Sequence, residues 1–188
     1  FRGCQDAEAA QFPEGEHTVS VPVPVEGTPA EPRSSIWRWW KSLGEDRAGR
    51  AELRRCGTTA EVAFTAAFHR LLRMLGSRLG EGDAKKVASL AAVLAHVEDE
   101  PSDGRSLARQ MGTPKGEGHG PVVSDVRFRH LLRTEDSDDQ LRELIRIIRQ
   151  LERRVTVEPL FHDLMNWNDR TRTRWAREYY EAASVAEK

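Results

Sequence analysis

Between Ser137 and Arg154 the chain reads SDDQLRELIRIIRQLERR, and this stretch limits the fold more than any other. Leu141, Leu144, Ile145, Ile148 and Leu151 recur at helical spacing, so one face of a helix is apolar and must be buried against another element. At roughly 100° per residue, Arg142, Arg146, Arg149 and Arg153 fall within about 60° of one another. The centre of that stripe lies about 130° from the centre of the apolar face, on the same wheel. A guanidinium keeps its charge at all ordinary pH and presents a planar fork of donors that fits a phosphate. Such a row suits a nucleic-acid backbone, but on an amphipathic helix it is often no more than a solvated face. The placing of the other basic residues has to decide between the two.

Those residues are unevenly spread. The chain of 188 residues has a net charge of −1. Residues 1–33 hold two basic and six acidic residues, a net of −4 that leaves +3 for the remainder. The excess is mostly Arg, with Lys only at Lys41, Lys85, Lys86, Lys115 and Lys188. Charged residues make up 31% and hydrophobic ones 38%, the balance of a soluble protein with a modest core. No apolar run approaches the roughly 20 residues that span a bilayer, so no membrane association is expected. The start FRGCQDAEAA lacks the apolar stretch of a secretory signal, which makes a cytoplasmic location the expectation. Cys4 and Cys56 stand alone, without the spacing of a disulfide framework or a zinc site.

Punctuation along the chain predicts helices throughout. Residues 1–33 are rich in Pro, Glu, Gly and Ala and read as a flexible, acidic tail. Within it Val19 to Val25 alternates, but Pro22 and Pro24 block strand pairing on one edge. Ser35 is a candidate cap for a helix carrying Trp37, Trp39 and Trp40, and a short Arg-rich helix follows from Arg47 to Cys56. Thr58 and Glu61 have capping-box spacing ahead of a longer helical stretch with Val62, Phe64, Phe68, Leu71 and Leu75 inward. Asp83 opens a helix with Val87, Leu90 and Leu94 inward. Glu98 to Gly104 is a linker signal. Beyond it a short helix runs from Ser106 to Met111, followed by a loose Gly-rich stretch. Ser124, Ser137 and Asp169 are the expected caps of later helices, and Pro159 suits a first helical turn. The expected fold is all-α: two small helical bundles in series, 34–98 and 105–188, behind the 1–33 tail.

Enzyme chemistry finds little support. No two histidines have His-x-x-x-His spacing, and there is no Gly-x-Ser-x-Gly elbow or Gly-Lys-Ser/Thr phosphate loop. The one adjacent His-Asp pair, His162-Asp163, suggests at most a metal-dependent helical phosphohydrolase, whose further ligands would come from scattered histidines. The simpler reading is a surface pair on a helix. Neither catalytic residues nor a metal or cofactor are expected.

Nucleic acid fits better. Arg50, Arg54 and Arg55 cluster on the short second helix, and Arg70 and Arg73 on the next. Arg127, Arg129 and Arg133 flank Phe128, and Arg170, Arg172, Arg174 and Arg177 crowd the start of the last helix. That last cluster is not favoured by the helix dipole, which suggests an anion nearby, although Asp169 answers the same need. Of Trp37, Trp39 and Trp40, two are expected in the core and the third against a partner. Trp167 and Trp175 read as core.

Several pieces are familiar in combination. They are Trp40-Lys41-Ser42-Leu43, Arg50-Ala51-Glu52-Leu53-Arg54-Arg55 and Ala67-Phe68-His69-Arg70-Leu71, then Arg127-Phe128-Arg129-His130-Leu131-Leu132, Gln140-Leu141-Arg142-Glu143-Leu144 and Leu164-Met165-Asn166-Trp167 on to Tyr179-Tyr180. In order and spacing, from about Trp37 to Tyr180, the chain resembles the CasB small subunit of the type I-E CRISPR surveillance complex, Cascade.

That resemblance implies a non-catalytic subunit that lies beside the guide-RNA-bearing backbone subunits and the large subunit. It also implies self-association, and a grip on target DNA and the displaced strand of the R-loop. Carried over by position, the basic residues involved are Arg54, Arg55, Arg70, Arg127, Arg133, Arg142 and Arg170. Arg146 and Arg149 join them on geometry, as the continuation of the Arg142 stripe. His69 stands where the family commonly has Tyr, and the 1–33 tail lies outside the pattern. Changing Arg142 and Arg146 to Glu is expected to weaken R-loop retention. A different reading keeps the same fold but makes the protein a purely structural assembly subunit, its Arg faces paired with acidic partner proteins.

Overall fold

The computed structural model describes residues 34–76, 79–80, 82–116 and 119–184. The acidic segment 1–33, with its Val19 to Val25 stretch, lies outside the described residues. The described residues form ten helices and no strand, as an all-α chain should. The helices are α1 (Ser35–Glu45), α2 (Arg47–Arg55), α3 (Thr59–Ala63), α4 (Ala66–Leu75), α5 (Asp83–Ala95), α6 (Leu107–Gly112), α7 (Asp125–Arg133), α8 (Ser137–Gln150), α9 (Val157–Met165) and α10 (Asp169–Ala183). Among the described residues, no helix is long and apolar enough to cross a membrane.

Side-chain caps fix where most of these helices begin. Asp46 accepts from the Gly49 amide at 2.8 Å, and Asp136 accepts from both Asp138 and Asp139 at 2.9 Å. Thr58, Thr65, Ser106 and Asn168 cap α3, α4, α6 and α10 in the same way. Half of the Thr58–Glu61 box forms as expected, the Thr58 hydroxyl accepting from the Glu61 amide at 3.2 Å, while the Glu61 carboxylate reaches one residue further back, to the Gly57 amide at 2.6 Å. Three caps sit one residue earlier than expected: Ser34 for Ser35, Asp136 for Ser137 and Asn168 for Asp169. A cap residue must keep extended backbone while its neighbour turns helical, and in each pair the earlier polar residue does so.

Two departures bear on the surface. The stretch from Thr58 is not one helix. It breaks at Phe64, Thr65 caps a new one, and Phe64 ends 86% exposed rather than inward. The stripe helix also stops at Gln150, short of Arg154, because Glu152 and Arg153 take left-handed backbone with φ of 55° and 61°. There the Arg153 amide donates to the Ile148 carbonyl at 2.9 Å, and the Arg153 carbonyl accepts from the Glu98 amide at 2.8 Å. Arg153 therefore leaves the stripe. Ile147, not expected inward, is buried, while Ile145 and Leu151 are half-buried.

The core is organised around α5, every residue of which is buried from Val87 onward, and burial continues to Val97. Helices α2, α3, α4, α8 and α9 pack against it, and α1 lies on α4 and α9. The apolar core thus runs on past the 98–104 segment. Trp39 and Trp40 are buried and satisfied, their indole N–H groups donating to the Ala67 and Val97 carbonyls at 3.0 Å. Trp37 is half-buried, with its indole donating to Glu100 at 2.9 Å. Trp175 is buried and Trp167 half-buried, edge to face at 4.9 Å. Helix α6 packs on α10, and α7 on α8. The α6–α10 approach requires glycine: a Cβ on Gly112 would lie 2.2 Å from the Tyr179 carbonyl oxygen.

Candidate nucleic-acid interface

Arginines far apart in sequence meet at one place. The end of α2, the end of α5 and the outer face of α8 enclose a cleft of about 280 Å³. Arg54 and Arg55 come from α2, and Arg142, Arg146 and Arg149 from α8. His96 lines it from the end of α5, and Leu141 and Ile145 give it an apolar side. The amphipathic spacing of α8 creates this wall: with Leu141, Leu144, Ile147 and Ile148 buried against α5, the arginines must face outward. On α2, Arg54 and Arg55 fall in the last turn, where the helix dipole favours cations.

These arginines differ in what already holds them. Arg142 is paired with Asp139 at 2.6 Å, and Arg146 with Glu143 at 3.1 Å. Arg54 donates to the Ala95 carbonyl at 2.8 Å and pairs with Glu98 at 3.1 Å. Glu98 also takes Arg153, and its carboxyl is held below the usual range chiefly by that hydrogen bond, then by the one from Arg54. Arg55 and Arg149 are exposed and form no ion pair among the described residues. Among the described residues, they are the cleft's unpaired cations.

His96 is the unexpected member. It is 3% exposed, and its Nε2 finds no hydrogen-bond partner among the described residues. Burial first, and then the charges of Arg149, Arg54 and Arg153, push its pKa down to about 4. The imidazole is neutral at pH 7, held so in a cationic setting.

The remaining candidates lie outside the cleft. Arg70 of α4 is paired with Asp46, the residue that caps α2. Arg127 of α7 is paired at 3.1 Å with Glu143, whose carboxylate thus joins α7 to α8. Arg133, at the end of α7, is exposed and without an ion pair among the described residues. Arg170 lines a separate groove of about 780 Å³ at the start of α10, together with Thr173, Arg174, Arg177 and His162. Asp169 takes Arg172, Asp163 takes Arg174 and Glu181 takes Arg177, while Arg170 has no ion pair among the described residues.

Asp163 itself is committed. It is buried, and its second oxygen accepts from the Trp175 indole at 2.7 Å. His162 beside it is exposed. Among the described residues, no three His, Cys, Asp or Glu side chains gather to hold a metal ion.

Pattern reading missed the roles of His96, Glu98 and Glu143. The Asp139–Arg142 and Glu143–Arg146 spacings of three were the available signal for helix-surface pairing. Nothing local announces His96, because its environment is assembled from α2, α5 and α8.

Comparison with known proteins agrees with this architecture. The family model for CRISPR-associated protein Cse2 matches residues 49–180. Among solved structures, a chain of the crystal structure of E. coli Cascade bound to a PAM-containing dsDNA target has the same fold, with a TM-score of 0.63 at 20% identity. The likeness covers 80% of this chain and 95% of that one. No curated protein matches the sequence. With most of its helical body inside the family model, the chain belongs to the Cse2 family, the CasB small subunits of type I-E Cascade that its sequence resembles.

Proposed function

We propose that the protein is a non-catalytic small subunit of a cytoplasmic RNA-guided surveillance complex that grips nucleic-acid backbone and stabilises the R-loop. One observation carries the reading: Arg54, Arg55, Arg142, Arg146 and Arg149 converge on one cleft from helices far apart in sequence. A solvated helix face has no reason to meet the cationic end of another helix. Contacts of this kind hold phosphates without reading bases, and pairing with the guide supplies the sequence. R-loop formation is a nearly balanced exchange, so a few phosphate contacts tip it. Arg133 and Arg170, without an ion pair among the described residues, extend the grip beyond the cleft, and Arg70 and Arg127 are reserve donors. The proposed partners are the backbone and large subunits, guide RNA, target DNA and a second copy of the chain. The dsDNA-bound state of the E. coli complex supports the assignment.

The purely structural reading has an observation of its own. Arg54, Arg70, Arg127, Arg142 and Arg146 already face internal carboxylates. Titrating the chain with labelled single-stranded DNA at low and moderate salt separates the two. Sequence-indifferent binding that falls steeply with salt is the expected result. No binding at low salt would shift the function to assembly alone.

A further inference from the structure

The cleft has a feature that a simple phosphate track does not need. Its walls are guanidiniums, permanently charged, yet His96, which also lines it, is uncharged at neutral pH. A buried ring nitrogen without a partner is unusual in a native protein and asks for an explanation. The groups around it are known from each side. Arg54 faces it from α2, Arg149 from α8 and Arg153 from the turn after α8. Glu98 lies two residues on and is tied up by Arg54 and Arg153. The charges that act on the imidazole are those of the arginines, and they oppose a proton on it.

An anion in the cleft reverses that balance. Seated against Arg149 and Arg55, it offsets the arginine field that adds to burial in keeping the ring neutral, and its oxygens accept from the imidazolium in place of the water that burial removed. The imidazolium becomes the favoured form and offers a donor from each ring nitrogen. We propose that the α2–α8 cleft is a discrete seat for one phosphate group, with His96 as its ionisable floor, and that filling the seat takes up a proton at His96. The inference rests on the nucleic-acid reading of the same cleft and adds to it a linkage between phosphate binding and pH. The proton comes from solvent and returns there when the phosphate leaves.

If the seated phosphate restores His96 from about 4 to its ordinary value of about 6.5, one proton is taken up as binding occurs at intermediate pH. Affinity for a phosphodiester strand then rises by up to about tenfold between about pH 7.5 and about pH 5.5 at constant ionic strength.

The full chain would be titrated with a labelled single-stranded oligothymidylate at those two pH values, beside the His96→Gln variant. Proton uptake would be read separately, by calorimetry near pH 5.5 in two buffers of different ionisation enthalpy. The proposal expects a gain approaching tenfold for the wild type between the two pH values, a gain largely lost in H96Q whatever its affinity at pH 7.5, and uptake approaching one proton. Equal pH dependence in both proteins, or no proton uptake, overturns the proposal while leaving the nucleic-acid reading intact. No binding at either pH overturns both. Should H96Q fail to fold, the proton count on the unaltered chain decides alone.

Discussion

Arg127 Nε of α7 lies 3.1 Å from Glu143 Oε1 of α8, and the carboxylate it meets is only 6% exposed. The other oxygen of Glu143 takes Arg146 from the same helix at 3.1 Å. One nearly buried acid therefore restrains two of the guanidiniums assigned to nucleic acid. Glu143→Gln keeps the shape and removes the charge. It should cost about 1–3 kcal/mol of stability, the range for a disturbed buried charged hydrogen bond. It should also release Arg127 and Arg146, so that single-stranded DNA binds more tightly at low salt. Urea denaturation and the same binding titration check the two halves.

The unpaired cations of the cleft are the better place to test the grip. Arg55→Glu combined with Arg149→Glu removes two exposed charges that no carboxylate among the described residues holds. Stability should change by no more than about 0.5 kcal/mol. Affinity for single strands should fall at least tenfold at low salt, and the salt slope should shrink by about 1.4, at about 0.7 per phosphate contact. The Arg142→Glu, Arg146→Glu pair is less clean, because a carboxylate at position 146 would face Glu143. A loss of R-loop lifetime there would mix repulsion within the fold with loss of DNA contact.

Two glycines should respond to alanine in opposite senses. At Gly112 the new methyl would meet the Tyr179 backbone, which cannot rotate away. Gly112→Ala should force α6 off α10 and cost about 1–3 kcal/mol or more. At Gly44, inside α1, nothing lies within 4 Å of the new Cβ. Gly44→Ala should stabilise by about 0.4–1 kcal/mol through reduced freedom of the unfolded chain. Thermal melts of the two variants, read against the parent, suffice.

Acid should weaken the fold in two stages. His96 has its pKa lowered to about 4 in the fold from 6.5, so between those values the unfolded chain binds a proton that the folded one refuses. Stability from this group is therefore present above about pH 6.5 and lost as pH falls toward 4. The second stage comes from Asp46, Asp138 and Glu98, whose folded pKa values are also lowered, chiefly by hydrogen bonds from Gly49, Thr59 and Arg153. For acids the sign is opposite at the level of the charge. Their stabilisation holds above the ordinary carboxylate range and is lost as pH falls through the lowered folded values. H96Q should flatten the upper stage and leave the lower one, in urea midpoints taken from about pH 7.5 to about pH 2, a span that passes below the ordinary carboxylate range.

Much of this was legible in the chain, for physical reasons that differ from place to place. The apolar period of α8 orients its arginines outward because burial of Leu141, Leu144 and Ile148 leaves no alternative. Two of the three tryptophans in the run were expected in the core, and they are Trp39 and Trp40, with Trp37 at the margin. What escaped was set by backbone choices that side-chain pattern does not encode. Thr65 caps a new helix and turns Phe64 outward, and two left-handed residues take Arg153 off the stripe and hand it to Glu98. His96 escaped because its surroundings are contributed by helices more than forty residues apart, as its cleft partners Arg54 and Arg149 illustrate.

The burial of α5 has a consequence for motion. Its amide hydrogens from Val87 to Ala95 reach water only when the helices around them separate together, so they should exchange with solvent at the rate of global opening. His96 follows directly on that slow segment as its cap, whereas Arg55 and Arg149 ride on exposed helix faces. The cleft thus joins a floor with the kinetics of the whole molecule to walls with the kinetics of its surface. A strand can be gathered by quick, flexible arms while the residue beneath it keeps one position for as long as the protein stays folded.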